Sequence, residues 1–221
     1  MVAIDVWFQV LPSLVQGMVV TLQVLCYSAI LAFIFSFLAG FARLSRWRPL
    51  RWAAGAVVEF FRGTSLLVQL YWLYFALPVL AGIHLPSDLV GILAFTFNYG
   101  SYGSEVVRSA ILAVPRGQHE AGIALNMTPA QRMRSIILPQ AFRIMLPSFG
   151  NLLIEMLKGT ALLSLIFIPE MTNNIIQMRN TVGHTPQLLG LLLVGYFVIG
   201  YLLTRIMRRV ESRFGAGRTA V

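Results

Sequence analysis

The run VWFQVLPSLVQGMVVTLQVLCYSAILAFIFSFLAGFA, from Val6 to Ala42, lies between Asp5 and Arg43 and holds no charged residue. It is much longer than the roughly 20 apolar residues that carry a helix across a bilayer. This stretch alone predicts a membrane span. The residues before it, Met-Val-Ala-Ile-Asp, lack the basic leader of a secretory signal, and the apolar run is too long for one. A retained helix is expected.

The remainder of the chain continues the pattern. Of its 221 residues 57% are hydrophobic and 11% charged, where a soluble domain carries roughly 25% charged residues. Mean hydropathy is +0.76. Charge-poor intervals also run from Arg62 to Asp88, from Asp88 to Glu105 and from His184 to Arg205, and a less clean one spans Leu146 to Ile168 with Glu155 and Lys158 inside it. Helices are therefore expected near 14–42, 57–81, 88–112, 144–168 and 186–207. The fold class is all-α, an integral membrane protein of about five transmembrane helices forming a single domain over 1–221.

The net charge of +9 would suggest nucleic acid for a soluble chain. Here the basic residues sit between the apolar runs, which is the signature of membrane orientation and not of nucleic-acid binding. Arg43, Arg46, Arg48 and Arg51 follow span one; Arg108, Arg116, Arg132, Arg134 and Arg143 flank the loop after span three; Arg205, Arg208, Arg209, Arg213 and Arg218 follow span five. The opposite segments hold only Arg179. A fourteen-to-one bias predicts a cytoplasmic carboxyl end and an external amino end.

The segment from Val114 to Phe142 is punctuated as two short helices. Pro115 suits the start of the first, and Asn126 its left-handed end. Thr128, Pro129 and Gln131 read as an N-cap, a first-turn proline and the third residue of a capping box. Pro139 is expected to stop the second helix. Ile123, Leu125, Met127 and Ile136 to Leu138 supply apolar knobs, which suits either docking onto another protein or lying on a membrane surface.

Glu59 and Arg62, like Glu105 and Arg108, stand three apart and share a helix face near the arginine-rich end, where ion pairing or snorkelling is expected. Gln69 and Asn98 lie deeper, facing solute or a neighbouring helix. Glu155 and Lys158, three apart in mid-span, are expected either to pair with each other or to face a solute. His84, His119 and His184 show no metal-ligand spacing, and the lone Cys26 can form no intrachain disulfide. No metal, cofactor or catalytic residue is expected. The single lysine, Lys158, precedes Gly159, so the chain has no P-loop and any ATP must be hydrolysed elsewhere.

The loop carries a resemblance. Glu120-Ala121-Gly122, then Ile123-Ala124-Leu125, Asn126, nine residues and Ile136-Ile137-Leu138-Pro139 resembles the cytoplasmic signature of ATP-binding-cassette importer permeases, with Gly122 in place of Ala and Asn126 in place of Gly. Phe61-Arg62-Gly63-Thr64-Ser65-Leu66-Leu67-Val68-Gln69 and Leu157-Lys158-Gly159-Thr160-Ala161-Leu162 are similar to the polar amino-acid uptake branch, which usually has Pro at 65 and Ser at 161. Asn98-Tyr99-Gly100-Ser101-Tyr102-Gly103 also looks like members that import ectoine-type compatible solutes.

The resemblance implies a second permease, identical or paralogous, two ATPase subunits, an extracytoplasmic solute-binding protein and a small-molecule solute, in lipid of the bacterial inner membrane. It makes Glu120, Ala121, Gly122, Leu125, Asn126, Leu138 and Pro139 the ATPase-coupling loop, within 114–142. Arg62, Gln69, Asn98, Glu105, Glu155, Lys158 and Thr160 become the candidate solute path or gate. The alternative is an ion-coupled secondary transporter with Glu105 and Glu155 as proton relays. Five spans in 221 residues leave that alternative no room for an inverted repeat.

Overall fold

The computed structural model describes residues 2–215, all helix and connecting turns. Arg218 lies outside them. We label the helices α1 Val2–Arg43, α2 Arg48–Gly63, α3 Leu66–Ala81, α4 Ser87–Leu112, α5 Arg116–Ala124, α6 Pro129–Ile166, α7 Met171–Val182 and α8 Thr185–Gly215. Val10–Arg43, Pro129–Ile166 and Thr185–Arg213 are long and apolar enough to cross a membrane, as is the α2–α3 pair if it counts as one span. At 26 residues α4 reaches about 39 Å, ample for a bilayer. It is less apolar because it is the central packing element, with Asn98, Ser101 and Ser104 all buried on it.

Lipid tails are as apolar as leucine, so helices in a membrane associate through close packing and polar contacts. The α1–α4 pair, the most extensive in the fold, does both. Ser36 donates to the carbonyls of Ala32 at 2.6 Å and Gly100 at 3.1 Å, crossing from one helix to the other. A Cβ at Gly103 would collide with the Ser36 hydroxyl. Only glycine permits this approach.

Three expectations are corrected. The span expected at 57–81 is not one helix: α2 and α3 meet at 101° at Thr64–Ser65. Charge and apolar residues fall on different faces of α2, whose Trp52 and Phe60 remain exposed, so it does not continue the apolar rod of α3. Pro139 does not stop a second loop helix. A π turn over Met133–Ile137 widens the backbone just before it, and α6 runs on from Pro129 through 144–168 territory to Ile166. The third is α7, for which no helix was expected.

α7 is set by a buried carboxylate. Glu170 caps its start, accepting from the N–H groups of Thr172 and Asn173, each at 2.8 Å, and from the Tyr196 hydroxyl at 3.1 Å. Burial pushes its carboxyl above the usual carboxylate range, while the Thr172 and Asn173 N–H groups and Tyr196 act against that rise. The helix start lies directly on α1. A Cβ on Gly17 would stand 2.7 Å from the Met171 Cα, and the Met171 N–H donates to Thr21 Oγ1 at 3.2 Å. Val10, Ile175 and Leu188 close a small core beneath.

Replacing Glu170 with Ala strips a cap and leaves buried donors without an acceptor, a loss of about 2 to 4 kcal/mol. The detergent-solubilised Glu170→Ala protein should melt several degrees lower, and Glu170→Gln, which keeps one acceptor but turns an NH2 donor toward the other buried donors, should fall between it and the parent. Identical melting of the alanine variant and the parent would remove the latch role.

Candidate functional site

The loop between α4 and α6 is built by its caps. Pro115 precedes α5 and the chain leaves it through a Schellman motif: Met127 N–H to Gly122 O at 3.0 Å, Asn126 N–H to Ile123 O at 2.9 Å, with Asn126 at φ 53°. Thr128 and Gln131 form the expected capping box at the start of α6. Val114, Ile137 and Ala141 are buried together and anchor both ends of the loop to α4. Outward, Glu120 and Ala121 are exposed, with Ile123 59% and Leu125 72% exposed beside them. These apolar side chains stand open to solvent.

Gly122 has a local reason. Arg132 lies across it, 2.8 Å from where a Cβ would stand, with Ile136 behind. The glycine that loosens α5 also lets α5 and α6 close on each other. Leu138 and Pro139 follow the π turn, and Gln140 ties α6 back to Gln118 at 3.1 Å.

At the arginine-rich end of the bundle the two expected acid–base pairs form and join into one network. Arg62 meets Glu59 at 3.3 Å and Arg108 meets Glu105 at 2.9 Å. Arg43, at the end of α1, bridges them, 2.6 Å from Glu105 and 3.6 Å from Glu59. Sequence spacing revealed the pairs within each helix; the Arg43 bridge joins three helices and has no spacing to betray it. Arg62 also stacks on Tyr102, 5.4 Å from the ring centre, while the Tyr102 hydroxyl donates to the Arg62 carbonyl.

Gln69 and Asn98 meet at the α2–α3 break. Gln69 Nε2 donates to Thr64 Oγ1 at 2.7 Å and Phe61 O at 2.9 Å; Asn98 Nδ2 donates to Phe61 O at 3.2 Å and to Gln69 Oε1 at 3.3 Å. Both amides are buried and satisfy carbonyls that the break leaves without helical partners. Ser65 stands at φ −69°, the value proline fixes, so the family's usual Pro would fit the same backbone.

Glu155 and Lys158 do not pair. Both are exposed on α6. Glu155 lies by Tyr99, whose hydroxyl donates to the Glu155 carbonyl at 3.1 Å, and Lys158 lines a groove against α8 with Tyr196, Tyr201 and Arg205. Thr160 is fully buried where α6 tightens into a 3-10 turn, its hydroxyl bonded to Leu157 O at 2.6 Å and in reach of Tyr196 at 3.3 Å. Sequence reading passed over Glu170, whose only signal was an acid directly before a polar helical stretch, where a helix start favours negative charge.

Among the described residues no group of His, Cys, Asp and Glu is arranged to hold a metal ion. Comparison with known proteins gives a family. The model of the binding-protein-dependent transport system inner membrane component matches residues 32–215. A probable amino-acid ABC transporter permease of Sinorhizobium fredii is 41% identical over 212 residues, covering 93% of this chain and 89% of that protein. An L-cystine transport system permease of Bacillus subtilis is 35% identical, covering 91% and 86%. A crystal structure of an amino acid ABC transporter with histidines superposes at a TM-score of 0.88 with 29% identity over 93% of this chain and 96% of that one. The chain thus belongs to the family of binding-protein-dependent transport system inner membrane components.

Proposed function

We propose that the chain is the membrane-spanning subunit of an ATP-driven importer of polar amino acids, working beside a second permease, two ATPase subunits and an extracytoplasmic binding protein. The observation that carries the reading is the α5 knob, a helix begun after Pro115 and closed by a Schellman motif, presenting Ala121, Ile123 and Leu125 outward to solvent. The match to an inner membrane component supports the membrane, and relatives named as amino-acid permeases support the solute class. The ectoine-type reading rested on Asn98–Gly103. Asn98, Gly100, Ser101 and Gly103 are buried against α1 or the α2–α3 break, so this stretch serves packing. Ion coupling is not favoured either, because Glu105, the better relay, is bonded by both Arg43 and Arg108.

Solute passes, on this reading, along the face bearing Glu155 and Lys158, whose charges are exposed and unpaired with each other in a chain that otherwise shuns charge. The arginine-rich end, with the Arg43–Glu105 network and α5, faces the cytoplasm; five spans, α4 included, then place the amino end outside.

Single cysteines near Asp5 and at Ser212, in a Cys26→Ser background, are expected to react with impermeant reagent from opposite sides of the membrane. Reaction of both from one side rejects this orientation.

Ala121→Asp places a carboxylate where the ATPase is proposed to pack. Burying an unpaired charge costs several kcal/mol, so solute-stimulated ATPase activity should fall about tenfold or more while the permease still inserts. Parental activity in that variant contradicts docking through α5.

Glu155→Gln keeps the shape and removes the charge. The assembled importer should keep basal ATP hydrolysis but bind its amino acid about tenfold more weakly or change its preference among acidic, neutral and basic amino acids, a loss of one charge contact of about 1.4 kcal/mol. Unchanged affinity and preference assign Glu155 a structural role.

A further inference from the structure

A groove runs between α1 and α6. Its deeper part is walled by Ile30, Phe33 and Ile34 from α1 and by Phe149, Leu152 and Leu153 from α6, with almost no polar surface. Its mouth shares Phe33 and Phe142 with that part and adds Phe37, Leu138, Arg134 and Arg143. Arg134, Leu138, Phe142 and Leu146 follow one another at four-residue steps, so guanidinium and apolar wall belong to one stripe of one helix. From Phe142 to Leu152 the wall extends about 15 Å, half the roughly 30 Å hydrocarbon core and thus the depth of one leaflet.

Both arginines are exposed, and neither lies within ion-pair distance of a carboxylate among the described residues, whereas Arg43, Arg62 and Arg108 all do. Arg143 stands at the top of a leaflet-deep apolar slot, with Arg134 about 13 Å before it on α6, and two cations so placed above an apolar slot match one kind of molecule. We propose that this groove binds an anionic phospholipid, its phosphate between Arg134 and Arg143 and an acyl chain along Phe33, Phe149 and Leu152. The assignment rests on the arginine-rich end facing the cytoplasm, where basic pockets between helices meet anionic headgroups. A second copy presenting the same face would set four guanidiniums together. An ATPase cannot reach a wall inside the hydrocarbon core.

The test uses the assembled importer in mild detergent, with native mass spectrometry during titration of phosphatidylglycerol and of phosphatidylcholine with the same acyl chains. The parent should retain phosphatidylglycerol preferentially. Arg134→Gln/Arg143→Gln should bind it about thirty-fold more weakly, from roughly fivefold for each arginine near an anionic surface, while Arg208→Gln/Arg209→Gln should bind as the parent does. Ile34→Trp, which fills the slot from a half-exposed position, should weaken both lipids and leave assembly intact. Equal retention of the two lipids by the parent, or undiminished phosphatidylglycerol binding by the Arg134/Arg143 variant, overturns the site, as does efficient cross-linking of an Ile34→Cys groove cysteine to a partner subunit. Because binding in detergent is independent of orientation, a failed topology with intact lipid binding, or the converse, identifies which of the two readings is wrong.

Discussion

A backbone carbonyl in hydrocarbon has no water to accept from, so any departure from straight helix must bring its own donors. The α2–α3 break meets this demand with Gln69 of α3 and Asn98 of α4, both donating to Phe61 O. Thr64 folds its own hydroxyl back onto Phe60 O at 2.8 Å and takes a bond from Gln69. Gln69 and Asn98 are thus accounted for by the backbone they satisfy, whereas the buried hydroxyls of Ser28, Thr96 and Ser101 have no partner among the described residues. The exposed charges on α6 stand apart from both groups.

The same demand explains where the chain bends without breaking. At Pro139 the missing N–H and the ring are accommodated by a π turn, and at Thr160 the helix narrows to 3-10 geometry with the threonine hydroxyl on Leu157 O. Each local change of pitch is bonded within the protein. At the arginine-rich end, where water and headgroups are near, the ends of α1, α2 and α4 are fastened by side-chain ion pairs through Arg43. The two pairs that Glu59 makes are the exposed kind that contribute at most about 1 kcal/mol each, whereas Arg43 and Glu105 are largely buried where they fasten α1 to α4.

Hydropathy and punctuation made part of this legible. The apolar run from Val6, the capping box at Thr128 and the left-handed Asn126 are local signals, each written in a few adjacent residues, and each appears where it was read. The 101° break was hidden because its cause is distributed: α2 has an amphipathic pattern, but the donors that make the break affordable lie at 69 and 98. Pro139 misled because proline ends a helix only when the preceding turn is α; a wider turn removes the clash. Glu170 and α7 were missed for a third reason. An acid outside the apolar run carries no mark of burial until Tyr196 and Gly17, far away in sequence, are brought onto it.

The geometry of α6 joins the two candidate sites. It starts at the Thr128 cap, directly after the α5 knob, and passes Glu155 and Lys158 before ending at Ile166, a single element from Pro129 onward. At about 1.5 Å per residue Glu155 lies some 40 Å from the cap. No loop intervenes to absorb a displacement. Its departures from regular α-helix are the Met133–Ile137 π turn beside the knob, Pro147 within the helix and the Thr160–Ile166 3-10 turn just beyond Lys158. The section between the two turns carries Glu155 and Lys158 toward one end and is held at the other by Ala141 and Met145, buried against Val107 and Ile111 of α4. On the proposed reading, a push on α5 either flexes the π turn or moves this section against α4, where the buried Ala141 and Met145 oppose it. Any such motion reaches the face that carries Glu155 and Lys158, because one helix holds both ends.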